Sequence, residues 1–367
     1  MKSISIKDLI WFGRNLDYKG VRYFDYSASA FEFCFTGKKA SAVFLSDPSK
    51  WSKANQAVLG IFVKEIKDKK LFKGNSYWEN CDSESAQKIF LNKAQAEYVL
   101  FQSPVEKTVI IKVVKLSEAA FGMAGLKSLK IDETLNKPAA VKNKAFKIEF
   151  IGDSITCGYG VEGINEKDDF TTAQERADKS FAYLSAQKLN AEFNCVSWSG
   201  IGLVSKYVDE SIDVPDTTIS MPLLWPYTDK SLSLRLGLEP EVWDEARFTP
   251  DLVVINLGTN DMSFTRGRED RVSLYTLNLR VFLEEIHRRS PKAKLCCCLG
   301  VMGQELCDAM KKAVTLFKKD FPGVEILFIK LPLQDEKKDG AGANWHPSYK
   351  TQKKTADYFV KKLSSFI

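Results

Sequence analysis

The chain has 367 residues, 44% of them hydrophobic and 27% charged; this excludes a disordered polypeptide and exceeds what one ordinary core organises, so two domains are expected. Lys and Arg outnumber Asp and Glu by only 53 to 47, a net charge of +6, and the lysines are scattered among acids, which argues against a nucleic-acid partner. No segment approaches the roughly 18 apolar residues of a membrane span, and the opening "MKSISIKDLIWFGRNLDYKG" has neither the apolar run of about 7 residues nor the cleavage site of an export signal.

In chain order, "FEFCFTGKKASAVFL" from Phe31, "AVLGIFV" from Ala57, "KTVIIKVVKL" from Lys107 and "LKSLKID" from Leu126 are β-branched and aromatic runs of strand length. Residues 1–130 show almost no helical period. An all-β sandwich over residues 1–132 is expected, with "SDPSK" and "FKGNS" as turns. The polar, proline-containing stretch at 133–144 reads as a linker, and a second domain over 145–367 follows.

There the pattern alternates. "FKIEFIGD" is a strand, "SFAYLSAQKLN" a helix, "FNCVSWSG" a strand, and "DLVVINLGTND" the most apolar strand of the chain. A helix through "YTLNLRVFLEEIHRR", the strand "KLCCCLG", the helix "ELCDAMKKAVTLFKKD", the strand "EILFIKL" and a last helix with Ala356, Phe359, Val360 and Leu363 on one face complete it. Five strands separated by helices predict an α/β fold with a doubly wound parallel sheet, which binds ligands beyond the carboxyl ends of its strands. An insertion at about 203–240 reads either as a substrate loop or as a wrap over the sheet edge.

The eight cysteines, Cys34, Cys81, Cys157, Cys195, Cys296, Cys297, Cys298 and Cys307, contain no C-x-x-C pair. Reduced thiols in a cytoplasmic protein are expected.

The strand ends supply candidate chemistry. Ser154 in "GDSIT" stands at the turn leaving the first strand, where a serine serves as a nucleophile or simply caps a helix. Gly200 in "SWSGIGL" offers an unobstructed backbone N–H or merely backbone freedom. Asn260 in "LGTND" offers a side-chain amide or an Asx turn. Of two histidines, His287 sits near a helix C-terminus, whereas His346 in "NWHPSY" lies in a loop on the carboxyl-end side of the sheet. One such histidine leaves no histidine-rich metal centre and leaves a general base for Ser154. A nucleophile, two oxyanion donors and a base on one rim fit acyl transfer.

In these blocks, "GDSIT", "SG", "GTND" and "HP", the chain resembles the SGNH (GDSL-like) hydrolases. With "IWFGRN", "FEFCFTGKKASAVF", "GDSITCGYG" and "WDEARFTPDLVVINLGTND" it is similar to carbohydrate esterase family 2 over nearly its whole length. The resemblance implies a jelly-roll sandwich before an SGNH domain, and an esterase that removes acetyl groups from xylan- or glucomannan-type saccharides without metal or organic cofactor. It implies Ser154 as nucleophile, His346 as base, and an oxyanion hole from the Ser154 and Gly200 N–H groups with Asn260; Asp153 holds the turn. Superfamily members commonly carry an acid three residues before the histidine, where this chain has Ala343. A Ser154–His346 dyad oriented by a main-chain carbonyl is therefore expected, with Asp335 and Asp339 as alternatives. Trp345, Trp225 and Trp198 are candidate sugar-stacking walls, and Trp243 a core residue. A lipase or thioesterase, and a carbohydrate-binding protein without activity, are the competing functions.

Overall fold

The computed structural model describes residues 1–47, 54–66, 86–136 and 146–367. Ten strands build the first part: β1 (Lys2–Ile4), β2 (Ile10–Phe12), β3 (Leu16–Tyr18), β4 (Val21–Tyr23), β5 (Ala30–Leu45), β6 (Val58–Glu65), β7 (Gln87–Phe90), β8 (Gln95–Lys115), β9 (Gly125–Ile131) and β10 (Thr134–Asn136). They form one antiparallel sheet in the order β3-β4-β9-β5-β8-β6-β7, with β1 on β9 and both β2 and β10 on β5. Alternation along β5 sends Phe31, Phe33 and Phe35 into a core with Phe24, Leu59, Ile111 and Leu129.

Two details depart from the sequence expectation. β8 begins at Gln95 rather than near Lys107, running through Pro104; opposite β5 the register jumps from Gln102↔Lys39 to Lys107↔Gly37, so the proline falls in a bulge where no β5 partner needs its missing N–H. Thr134–Asn136, inside the expected linker, pair with β5. Residues 137–144 of that linker, the turn "FKGNS", most of "SDPSK" and Cys81 lie outside the described residues.

The second part contains β11 (Lys147–Gly152), β12 (Glu192–Ser197), β13 (Leu252–Asn256), β14 (Lys294–Leu299) and β15 (Ile326–Lys330), all parallel in the order β12-β11-β13-β14-β15. Its helices are α1 (Ser154–Cys157), α2 (Phe181–Lys188), α3 (Met221–Leu224), α4 (Lys230–Arg235), α5 (Asp261–Thr265), α6 (Glu269–Arg289), α7 (Cys307–Asp320), α8 (Glu336–Asp339) and α9 (Tyr349–Leu363). The stripe Tyr275, Leu279, Phe282, Leu283 and Ile286 of α6 joins α7 on one face of the sheet, over Ile255 and Cys297. On the other face Phe181 of α2 and Phe359 of α9 cover Phe150, Cys296 and Cys298. Adjacent cysteines of β14 thus face opposite layers, and the seven described cysteines are buried free thiols.

The two parts share interior. Val58, Phe62, Val114 and Leu116 of the sandwich belong to the same apolar cluster as Ile148, Phe150 and Phe181. Buried beside this contact, Arg14 donates to Glu149 Oε1 at 3.0 Å and to the carbonyls of Trp225 and Tyr227. Removing one partner of a buried ion pair strands the other charge. Arg14→Met is therefore expected to lose about 3–5 kcal/mol of unfolding free energy, read by urea denaturation. Lys107→Met, which breaks a surface pair with Glu65, should lose less than about 1 kcal/mol.

Candidate active site

β11 ends at Gly152, and the buried carboxyl of Asp153 accepts the N–H of Ile155 at 3.0 Å, so α1 starts at Ser154. Burial pushes the Asp153 carboxyl up to about 7; its place is the turn, and it makes no contact with His346. Ser154 Oγ stands 2.9 Å from His346 Nε2, and His346 Nδ1 stands 2.9 Å from the Asn344 carbonyl oxygen. A carbonyl only accepts, so Nδ1 carries the ring proton and Nε2 is left to accept from the serine hydroxyl.

The carbonyl is presented by an unusual turn. Asn344 and Trp345 both have left-handed backbones, φ 51° and 57°, a conformation that costs non-glycine residues about 1–3 kcal/mol each unless the surroundings fix it. Here they do: Trp345 N–H donates to Glu166 O, Gln334 Nε2 to Trp345 O, and Asn344 Nδ2 to the Tyr159 hydroxyl. Ala343 is fully buried, its N–H bonded to Gly160 O, and its methyl lies where a side chain on Gly160 or Gly163 would collide. An acid here would be pressed into this backbone contact. Asp335 caps α8 through Lys338 N–H, and Asp339 pairs with Lys350 and Lys354. Neither contacts His346.

Tyr159, stacked on Phe170, covers the imidazole at 4.3 Å between centroids. This desolvation pulls the His346 pKa down to about 4, against the raising effect of the backbone acceptors at Asn344 and Ala343. His287 lines a different cavity, against Phe321.

Gly200 has φ 76°, and a methyl there would meet nothing within 4 Å. The positive φ suits glycine, and among the described residues no acceptor takes its N–H. Asn260, after β13, gives one amide hydrogen to Ile201 O at 2.8 Å. Asp261 accepts the N–H groups of Leu203, Val204 and Ser205, tying the loop after β12 to the loop after β13. Ser154, Gly200, Asn260 and His346 all border one open cavity of about 1060 Å³.

The tryptophans separate. Trp345 is 49% exposed and lines that cavity. Trp225 does not: it is 1% exposed in the core, its indole N–H bonded to Glu149 Oε2. Trp198 packs against the apolar core below the loop and is not in the cavity wall either. Trp243 is buried beneath Arg14. Sequence reasoning missed Tyr207, 62% exposed on the cavity, and Phe121, which reaches it from the sandwich. The insertion is both things its sequence allowed: Tyr207 and Val208 line the cavity, whereas Met221, Leu224 and Trp225 wrap into the core. Among the described residues one group of possible metal ligands lies together, the buried Glu118, Cys157 and Glu175.

Because the chain has only two histidines, ring NMR reads His346 directly. Its depressed pKa means that the neutral form, protonated at Nδ1, persists through pH 5–8. Protonation is expected only near pH 4; a midpoint at the ordinary value of about 6.5 would contradict the desolvated, carbonyl-held ring.

Residues 150–315 match the GDSL-like Lipase/Acylhydrolase family. Cellulase/esterase CelE of Acetivibrio thermocellus is 35% identical over 231 residues, 62% of this chain and 26% of that protein. An acetylxylan esterase / glucomannan deacetylase of Cellvibrio japonicus is 30% identical over 215 residues, 58% of this chain and 56% of that protein. The chain thus spans from about a quarter to little over half the length of these relatives. The structure of a family two carbohydrate esterase from Clostridium thermocellum in complex with cellohexaose superposes with a TM-score of 0.77 at 27% identity, covering 97% of this chain and 98% of that one. One from Cellvibrio japonicus, at 20% identity, shares the fold with a TM-score of 0.80 over 100% of this chain and 97% of that one. Residues 150–315 thus match a GDSL-like lipase/acylhydrolase domain, and the chain as a whole is similar in fold to family two carbohydrate esterases.

Proposed function

We propose that the chain is a serine esterase that removes O-acetyl groups from plant-type oligo- or polysaccharides, of the xylan or glucomannan kind, through an acetyl-enzyme. One observation carries the reading: a serine hydroxyl 2.9 Å from the free nitrogen of a histidine whose tautomer a main-chain carbonyl fixes, at the wall of an open cavity. The name of two relatives, acetylxylan esterase / glucomannan deacetylase, supports the substrate class.

In this mechanism His346 Nε2 takes the Ser154 proton as Oγ attacks the acetyl carbonyl. The Ser154 and Gly200 N–H groups and the second amide hydrogen of Asn260 receive the oxyanion, each donor worth about 3–4 kcal/mol in sites of this kind. His346 returns the proton to the departing sugar oxygen; water then repeats the sequence on the acetyl-serine. Trp345, exposed beside His346, gives a sugar ring a flat apolar face. The catalytic unit is residues 145–367, with 1–132 as the sandwich and 133–144 between them. The work is placed in a reducing cytoplasm, which the buried free thiols favour. Among the described residues no helix is long and apolar enough to cross a membrane.

The test is acetate release from acetylated xylo- and manno-oligosaccharides, with a long-chain ester as control. Ser154→Ala should abolish it, Asn260→Ala should lower kcat about 10²–10³-fold, and Asp339→Ala should stay within a few-fold of the parent. Trp345→Ala should raise KM for the oligosaccharide up to about tenfold while leaving a small aryl acetate nearly unaffected. Cleavage of the long-chain ester alone would replace the deacetylase reading with a lipase one.

A further inference from the structure

Glu118 closes the turn after β8 in the sandwich, yet its carboxylate is buried against the other domain. There Oε2 accepts the Ser199 N–H at 2.6 Å and lies 3.8 Å from the Cys157 thiol, which also contacts Ser197 Oγ. Ser199 immediately precedes Gly200, and Cys157 ends the helix that Ser154 begins. One carboxylate from outside the hydrolase domain therefore touches both segments that carry the proposed backbone oxyanion donors.

The surroundings show that this contact is built. Lys115, fully buried, donates to the carbonyls of Ser117 and Glu118 and to Ser117 Oγ, fixing the turn from which the side chain extends. Three residues on, Phe121 reaches the cavity wall. On the loop side, Trp198 N–H bonds to Gly152 O and Ile201 N–H to Trp198 O. The N–H of Ser199 is thus held by Glu118 while that of Gly200 is left free. The Ser199 N–H fixes the 198–199 peptide plane, and the Ser199 Cα joins that plane directly to the 199–200 peptide that carries the Gly200 N–H.

We propose that Glu118 is a positioning residue of the active site, through which the sandwich domain sets the Ser199–Gly200 backbone so that the Gly200 N–H meets the oxyanion. The proposal rests on the esterase reading above. The sandwich is then a working part of the catalytic site and not an appended module. The neighbouring Glu175, fully buried, backs the cluster beside Glu118.

The experiment uses the full chain and two readouts, steady-state hydrolysis of an aryl acetate and the rate at which a fluorophosphonate labels Ser154, since that adduct needs the same oxyanion donors. Glu118→Met, which removes the acceptor at similar size, should lower kcat about 100-fold with KM within about threefold, and should slow labelling equally. Glu118→Gln keeps an acceptor oxygen and should recover to within about fivefold of the parent. Glu118→Asp, conservative enough to fold, draws the acceptor back by one methylene and should fall between them. Arg14→Met, a destabilising change elsewhere at the domain contact, should leave kcat within about threefold at temperatures where it is folded. Equal losses in Glu118→Gln and Glu118→Met, full kcat in Glu118→Asp, or a loss no larger than that of Arg14→Met would overturn the proposal. If saccharide acetates are not hydrolysed but labelling still follows the Glu118 series, the substrate reading fails and the positioning role stands.

Discussion

The bond from His346 Nδ1 to the Asn344 carbonyl is the interaction on which the rest of the site depends. A carboxylate in that position would fix the tautomer and also favour the imidazolium that forms when the serine gives up its proton. A carbonyl fixes the tautomer with only a partial charge, and the ring, covered by Tyr159, is held down to about 4. His346 is consequently well oriented but weakly basic. In the proposed mechanism more of the barrier reduction falls on the oxyanion donors, whose placement must then be tightly controlled.

That control is distributed over loops that the sheet alone does not fix. The loop after β12 is tied to the loop after β13 by Asp261, which accepts three consecutive N–H groups, and by Asn260 on Ile201 O. On its other side it meets the sandwich at Glu118. The shared apolar cluster of Val114, Leu116, Ile148 and Phe150 keeps the two parts in register at the same place. Interiors packed at crystal-like density transmit small displacements, so a carboxylate anchored in one sheet can set a peptide plane at the rim of the other.

How much of this was legible follows from what each residue needs. The five parallel strands read directly from apolar runs because both faces are covered, and Ser154, Gly200, Asn260 and His346, read from chain order and strand ends, border one cavity. Trp345 lines the same cavity, but Trp225 and Trp198 do not, since nearness to a motif in sequence is not nearness in space: Trp225 turns inward to satisfy its indole N–H on Glu149. The acceptor of His346 has no side-chain signature, because every residue has a carbonyl, and the left-handed pair at 344–345 shows only when the turn is seen. Glu118, in "VVKLSE", looks like the polar end of a strand, and its burial exists only once the domains dock.

The docking surface itself carries an imbalance of charge. Glu118, Glu175 and Asp25 are buried together with Lys115, and Arg235 reaches Asp25 from α4. Desolvation outweighs these cations, pushing Asp25 and Glu118 up to about 7 and Glu175 well above its ordinary range. Raised folded-state values mean that these carboxyls favour the docked state most at low pH and less as pH rises towards 7, whereas the depressed value of His346 works in the opposite sense below its ordinary pKa. The proton that a carboxyl keeps on burial and the proton that the imidazole sheds on burial share one physical cause, desolvation, acting at the ring under Tyr159 and at the carboxyls around Lys115. In the proposed mechanism a weakly basic histidine depends on exclusion of water from its ring, while the acids nearby are raised by their own burial between the sandwich and the parallel sheet.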